Sequence, residues 1–195
     1  MANECANQLV VIGPLRDLSD FKGRSCNFKS AGDTEVDLDM EKLVPLSAFA
    51  SGAPFSYFEN QDRIDKAWGC SWVSNVKLKF TDSGEGFGCL EFSFVSAWTP
   101  PEMFVKHASM IFPRLEFYLA YMEEGVGFAG VVIYAAGRQE EEVNVRWLDA
   151  KKCLNEYVAR PRPGPWDDGL FDDPDAPKPN HKTEATDRAG GKNPD

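Results

Sequence analysis

A glycine-rich run, five cysteines, two histidines and five tryptophans are the residues of this chain whose types and spacing could do chemistry. Gly125-x-Gly127-x-x-Gly130 matches the dinucleotide fingerprint at every glycine. That fingerprint works because glycines let a pyrophosphate approach a helix N-terminus directly after a strand. Here the following residues, Val131-Val132-Ile133-Tyr134, favour a strand, and Glu123 and Glu124 would repel a phosphate. The run therefore reads as a hairpin whose glycines, Gly127 and Gly130 included, take positive φ.

Cys5, Cys26, Cys70, Cys89 and Cys153 are odd in number, widely spaced and never paired as C-x-x-C. They fit neither a disulfide framework nor a zinc knuckle, and read as buried reduced thiols in a reducing compartment. A nucleophile pair such as Cys89 with His107 can be written for any chain with five cysteines, so it carries little weight. His181 falls in the C-terminal stretch, and nothing near His107 converges as metal ligands. No metal, no cofactor and no catalytic residue are expected, and the chain reads as non-enzymatic. Aromatic residues remain, because they stack bases and anchor protein partners. Trp68 has helical spacing from Ile64 and Trp98 precedes a helix cap, so both read as core and staple residues. Trp72 is the open one. Trp72, with the acidic Glu123, Glu124, Glu140, Glu141 and Glu142, is the expected partner-binding set; the Glu140–Glu142 run otherwise reads as a solvated strand entry.

The elements that must position these residues follow from periodicity. Leu9-Val10-Val11-Ile12 reads as a buried strand ended by Gly13-Pro14. Leu15, Leu18 and Phe21 mark one face of a short helix, with Gly23 as its stop. Residues from about 24 to 55 read as an irregular insert with a short strand around Thr34 to Leu38. Ser56-x-x-Glu59 has the capping-box pattern and opens a helix with Tyr57, Ile64 and Trp68 inward, stopping at Gly69. Val76, Leu78 and Phe80 alternate with Lys77 and Lys79; across Asp82 to Gly86, Leu90, Phe92 and Phe94 alternate with Glu91 and Ser93. This is a hairpin with one wet face. Thr99-Pro100-Pro101-Glu102 reads as a second capping box with Pro100 as first helical residue; Phe104, Ala108 and Ile111 form the inward face and Pro113 the end. Strands follow at Leu115 to Tyr121 and Phe128 to Ala135. Val143, Val145 and Trp147 then alternate with Glu142, Asn144 and Arg146, and a helix covers Ala150 to Val158.

The order β-α-insert-β-β-α-β with added strands predicts an α+β, ferredoxin-like (split βαβ) antiparallel sheet, helices on one face and a C-terminal strand extension. The domain spans 1–159. Residues 160–195 hold most of the 13 prolines and the acidic pairs Asp167-Asp168 and Asp172-Asp173, and read as a disordered Pro/Asp-rich acidic tail. Trp166, Leu170 and Phe171 lie inside it.

Five segments carry a resemblance. Asn3-x-Cys5-x-Asn7 before Leu9 to Gly13, Glu41-Lys42-Leu43-Val44-Pro45, Trp68-Gly69-Cys70-Ser71-Trp72, Ser96-Ala97-Trp98-Thr99-Pro100-Pro101 and Glu124 to Gly130 occur in that order. Together, over roughly residues 1–135, they resemble the YubB ferredoxin-like family of plasmid and phage proteins. Where that family usually has Trp this chain has Glu4, and where it usually has an acid after the second Trp this chain has Val73, so a ligand contact at either place does not carry over. The resemblance implies a fold, placement on a mobile element and the bacterial cytoplasm, and no activity. Asn3, Cys5, Asn7, Trp68, Trp98, Thr99, Pro100, Gly127 and Gly130 are read as structural motif residues.

Charge narrows the function classes. Acidic side chains outnumber basic ones 31 to 21, for a net charge of −10. Such a surface repels nucleic-acid phosphate and anionic lipid, and no apolar window approaches a membrane span. The apolar run Leu9 to Ile12 is also too short for the core of a secretory signal. The expected function is a protein-binding accessory factor of a phage or plasmid, acting as an acidic inhibitor of a host defence complex such as restriction or CRISPR. The expected partner is a host protein or complex with a basic surface, with no direct nucleic acid and no membrane. The alternative is a nucleic-acid-binding module using exposed sheet aromatics.

Overall fold

The computed structural model describes residues 3–28, 35–49 and 57–145. Expectations for Thr34, Ser56, Trp147, Cys153, His181, the helix over Ala150 to Val158 and the tail 160–195 lie outside the described residues. In chain order the elements are β1 (Glu4–Pro14), α1 (Leu15–Ser25), β2 (Cys26–Phe28), β3 (Val36–Leu38), α2 (Met40–Leu43), a 3₁₀ turn (Leu46–Phe49) and α3 (Tyr57–Ala67). Then follow β4 (Val73–Gly84), β5 (Phe87–Ala97), α4 (Glu102–Ile111), β6 (Glu116–Glu123), β7 (Phe128–Ala135) and β8 (Arg138–Asn144).

β1 lies inside the sheet because its residues are apolar toward both faces. Leu9 and Val11 are fully buried on one side and Val10 is buried on the other. A strand covered on both faces reads as a continuous apolar run. Its neighbours are β5 and β6, both antiparallel, and the six-stranded order is β4-β5-β1-β6-β7-β8. The connection from β1 to β4, which begins with α1 and ends with α3, passes over β5, and α4 joins β5 to β6 with β1 between them. Each crossover thus leaves room for one inserted strand, which is the expected split βαβ plan. β7 and β8 extend it as an antiparallel meander.

Both crossover helices cover the same face. Leu18 and Phe21 of α1 and Phe104, Val105 and Ala108 of α4 share one core cluster with Leu9, Val11, Phe92, Phe117 and Leu119. The Phe21 ring meets Phe92, Phe112 and Phe117 edge-on at 6.1, 5.5 and 5.4 Å. Each such pair adds about 0.5–1.5 kcal/mol beyond area burial.

Several local expectations are corrected. Gly23 lies inside α1, which continues to Ser25, where the hydroxyl donates to the Phe21 carbonyl at 2.7 Å. The insert is not irregular throughout: β2 pairs with β3, and the Asp39 carboxylate accepts the Lys42 N–H to cap α2. The Thr99 capping box does not form. α4 starts at Glu102, leaving Pro100 outside the helix, and the orphan N–H of Phe104 is taken by the Trp68 carbonyl at 3.2 Å. Glu102 instead accepts the Tyr134 hydroxyl at 2.7 Å. Ile111 is 37% exposed, so the inward stripe of α4 is Phe104, Val105 and Ala108. Phe80 is 50% exposed because β4 outruns the core. Gly69 does end α3, at φ +81 with its N–H on the Ile64 carbonyl. No helix among the described residues is long and apolar enough to cross a membrane.

Candidate functional site

Strand directions decide which motif residues meet. β1 begins, β5 ends, β4 begins and β6 ends at one end of the sheet, as the pairs Glu4 with Ala97, Ser96 with Val73 and Cys5 with Glu123 show. Asn3, Gly69 to Trp72, Ser96 to Pro101 and the turn from Glu123 to Gly127 are therefore gathered on a single rim. They are far apart in sequence.

A chain of hydrogen bonds ties them. The buried Asn7 amide donates to the Cys5 carbonyl and the Ser96 hydroxyl, each at 2.8 Å. Ser96 donates to the Thr99 carbonyl at 2.7 Å, and the Thr99 hydroxyl donates to the Gly69 carbonyl at 2.6 Å. Backbone bonds run from Trp98 N–H to the Asn3 carbonyl and from Ala97 N–H to the Trp72 carbonyl. In a low-dielectric interior such linked bonds hold one geometry.

That network holds a strained residue in place. Trp98 sits at φ +65, a left-handed conformation that is an outlier for a bulky side chain. Strain of about 1–3 kcal/mol persists where surrounding contacts over-determine the backbone, and it clusters at functional sites. Trp98 is 52% exposed and Trp72 is 39% exposed. Trp98 is thus neither core nor staple, which corrects its structural reading; no local sequence signal marks the left-handed position. Trp68 is where expected, packed against the core with its indole N–H on the Val44 carbonyl at 2.9 Å.

The acidic residues separate into three groups. Glu123 is corrected: it is 2% exposed, and its carboxylate accepts the N–H groups of Gly125 and Val126, capping its own turn. Glu124 is exposed on the rim, beside the 75% exposed Val126. Glu140, Glu141 and Glu142 lie on β8 at the far edge, with Glu142 opposite Val132 in mid-strand. The structure does not bring them to the tryptophans. Glu140 pairs with Arg138 at 3.3 Å and Glu142 accepts from Gln139, so this strand carries charge on an open sheet edge.

The glycine run is the β6–β7 hairpin. Gly127 takes φ +87, but Gly125 does not take a positive φ and Gly130 is an ordinary strand residue, which corrects the expectation for those two. Burial pushes Cys70 up to about 12, with Cys5 adding to it; burial pushes Cys5 and Cys89 up to about 11. Thiols of that kind stay protonated near neutral pH and are poor nucleophiles. Cys89 packs against the second sheet face, whereas His107, on a helix over the first, meets the Phe49 ring in a tilted contact at 5.1 Å and the Lys66 carbonyl at 3.1 Å. Among the described residues no three His, Cys, Asp or Glu side chains gather as metal ligands.

Residues 68–156 match the family model described as the ferredoxin-like domain in Api92-like protein. The fold is ferredoxin-like. The crystal structure of protein Api92 from Yersinia pseudotuberculosis is similar at a TM-score of 0.49 and 11% identity, over 74% of this chain and 98% of that one. No curated protein matches.

Proposed function

We propose that this chain is a non-enzymatic protein-binding factor, and that its contact surface is the rim bearing Trp72 and Trp98. One observation carries the reading: a half-exposed tryptophan is held at positive φ by a buried network, one residue from the bond that ties Ala97 to Trp72. Large, rigid, pre-positioned aromatics supply interface hot spots at low entropic cost. Glu4 and Glu124 flank them, and the net charge of −10 would steer a basic partner toward the chain. The five YubB-like segments belong to this proposal: four of them build the rim. With them come the expected setting, a phage or plasmid product in the bacterial cytoplasm, and the target class, a host defence complex with a basic nucleic-acid groove.

The nucleic-acid alternative needs stacking aromatics and a basic stripe on the open sheet face. Tyr118 on that face is 2% exposed, and Lys79 is paired with Glu91 at 2.9 Å. These features favour a protein partner.

The test is affinity capture from a bacterial host with wild type and a Trp72→Ser, Trp98→Ser variant of matched melting temperature, read by mass spectrometry. A complex held by wild type and lost by the variant supports the proposal, and its affinity should weaken with salt. Micromolar or tighter binding to DNA or RNA in an anisotropy titration would overturn it in favour of the alternative.

A further inference from the structure

The strand register sets the two exposed tryptophans and two exposed carboxylates of the rim in one row. Val73 pairs with Ser96, so Trp72 stands opposite Ala97, whose N–H bonds the Trp72 carbonyl at 3.2 Å. Ala97 pairs with Glu4 on its other side, and the Trp98 N–H bonds the Asn3 carbonyl at 2.9 Å. Cys5 pairs with Glu123, so Glu124 follows beside Glu4. From β4 to β6 the row therefore runs Trp72, Ala97 with Trp98 next to it, Glu4 and Glu124. Its three strand spacings cover about 14 Å. Among the described residues neither Glu4 nor Glu124 is held in an ion pair. The segments that build the rim contain no Lys, Arg or His.

We infer that this row takes an arginine side chain of the partner, an inference that rests on the rim being the contact surface. The chemistry of the row turns other anchors away. An aliphatic or aromatic side chain would cover the indoles but strip water from two carboxylates and offer them no donor, which is costly. A phosphate or an acidic peptide would be repelled by both. A cation suits every member, because indole is the strongest aromatic partner for one and carboxylates accept its hydrogen bonds. Arginine suits the row better than lysine. Its planar guanidinium stacks on a ring with its face, donates from its edge and is more weakly hydrated. The dimensions agree: the step from the Trp98 strand end to Glu4 is one strand spacing, about 5 Å, which one guanidinium spans. The buried bonds from Asn7 to Ser96 and from Ser96 to Thr99 fix the Trp98 segment before any partner arrives, so little ordering is left to binding.

The test titrates the intact, isotope-labelled chain with the blocked peptide acetyl-Gly-Arg-Gly-amide and with its lysine and citrulline counterparts, read by NMR. Citrulline keeps the shape of arginine without the charge. The arginine peptide should shift the indole N–H signals of Trp72 and Trp98, assigned with Trp72→Phe and Trp98→Phe, and leave that of Trp68 in place. It should bind about tenfold more tightly than the citrulline peptide and about threefold more tightly than the lysine peptide. Glu4→Gln with Glu124→Gln, at exposed positions that the fold does not use, should abolish the preference over citrulline. Equal binding of arginine and citrulline, no shift at either indole, or a preference that survives the double variant would overturn the inference. None of those results touches the broader reading of the rim, which stands or falls with loss of capture by the Trp72→Ser, Trp98→Ser variant.

Discussion

The Tyr121 ring lies across Gly130, its partner in the β6–β7 ladder, so closely that a Cβ on Gly130 would stand 2.5 Å from the hydroxyl oxygen. Gly130 does not serve backbone freedom, since it sits in a strand. It makes room for the aromatic ring that fills the sheet end, where Tyr121 also meets Phe128 with centroids 6.1 Å apart.

Gly130→Ala is therefore expected to destabilise by about 1–3 kcal/mol, the usual cost of overpacking. In a Tyr121→Leu background the same change should cost less, because the clashing group is gone. A double-mutant cycle by chemical denaturation measures this coupling. Additive losses would show that the ring is not the obstacle.

Trp98→Gly should barely change stability. Relief of a left-handed strain of about 1–2 kcal/mol offsets the flexibility that glycine adds to the unfolded chain. Partner capture, however, should disappear. A Tm loss of more than about 8 °C would contradict the strain argument and make Trp98 a packing residue.

Thr99→Ala should cost about 1 kcal/mol, the typical net worth of one hydrogen bond, by removing the link to the Gly69 carbonyl. Thr99→Ser keeps the hydroxyl and should retain most of the stability. Were the residue a helix cap, the loss would appear as fraying of α4 in hydrogen exchange. The geometry instead places it at the end of α3 and the entry to Trp72.

Stability should fall on the alkaline side. Burial raises Cys70 from 9.0 to about 12 and Cys5 and Cys89 to about 11, so the folded state holds protons that the unfolded state has released. Unfolding then releases protons above about pH 9, and stability declines with rising pH through the folded values. Below pH 9 both states are protonated and the contribution is flat. Denaturation midpoints from pH 8 to 11 should show this decline, and Cys70→Ala should make it shallower.

Much of this architecture was legible in one dimension. Alternation in β4 and β5 put Val76, Leu78, Leu90 and Phe92 inside, and the apolar run of Leu9 to Ile12 marked a buried strand. Chain order alone then implied the split βαβ sheet. Gly69 also announced the end of α3. These features are local: a period of two or 3.6, or a glycine beyond a helix, is written in adjacent residues.

The rim was not legible, because the contacts that join its segments to one another cross long sequence distances. Asn7 reaches Ser96, Thr99 reaches Gly69, and the Phe104 N–H that a capping box would have satisfied finds the Trp68 carbonyl instead. Thr99-x-x-Glu102 carried the right letters for a cap, but two tertiary acceptors and the Tyr134 hydroxyl competed for those groups and won. Glu123 looked like surface charge until its own turn folded over it. Sequence by itself determined which stretches are strand or helix and that the chain is acidic, since both follow from residue type and spacing. Tertiary structure decided which polar groups are spent on holding the fold and which tryptophans face outward, because burial depends on what the rest of the chain brings alongside.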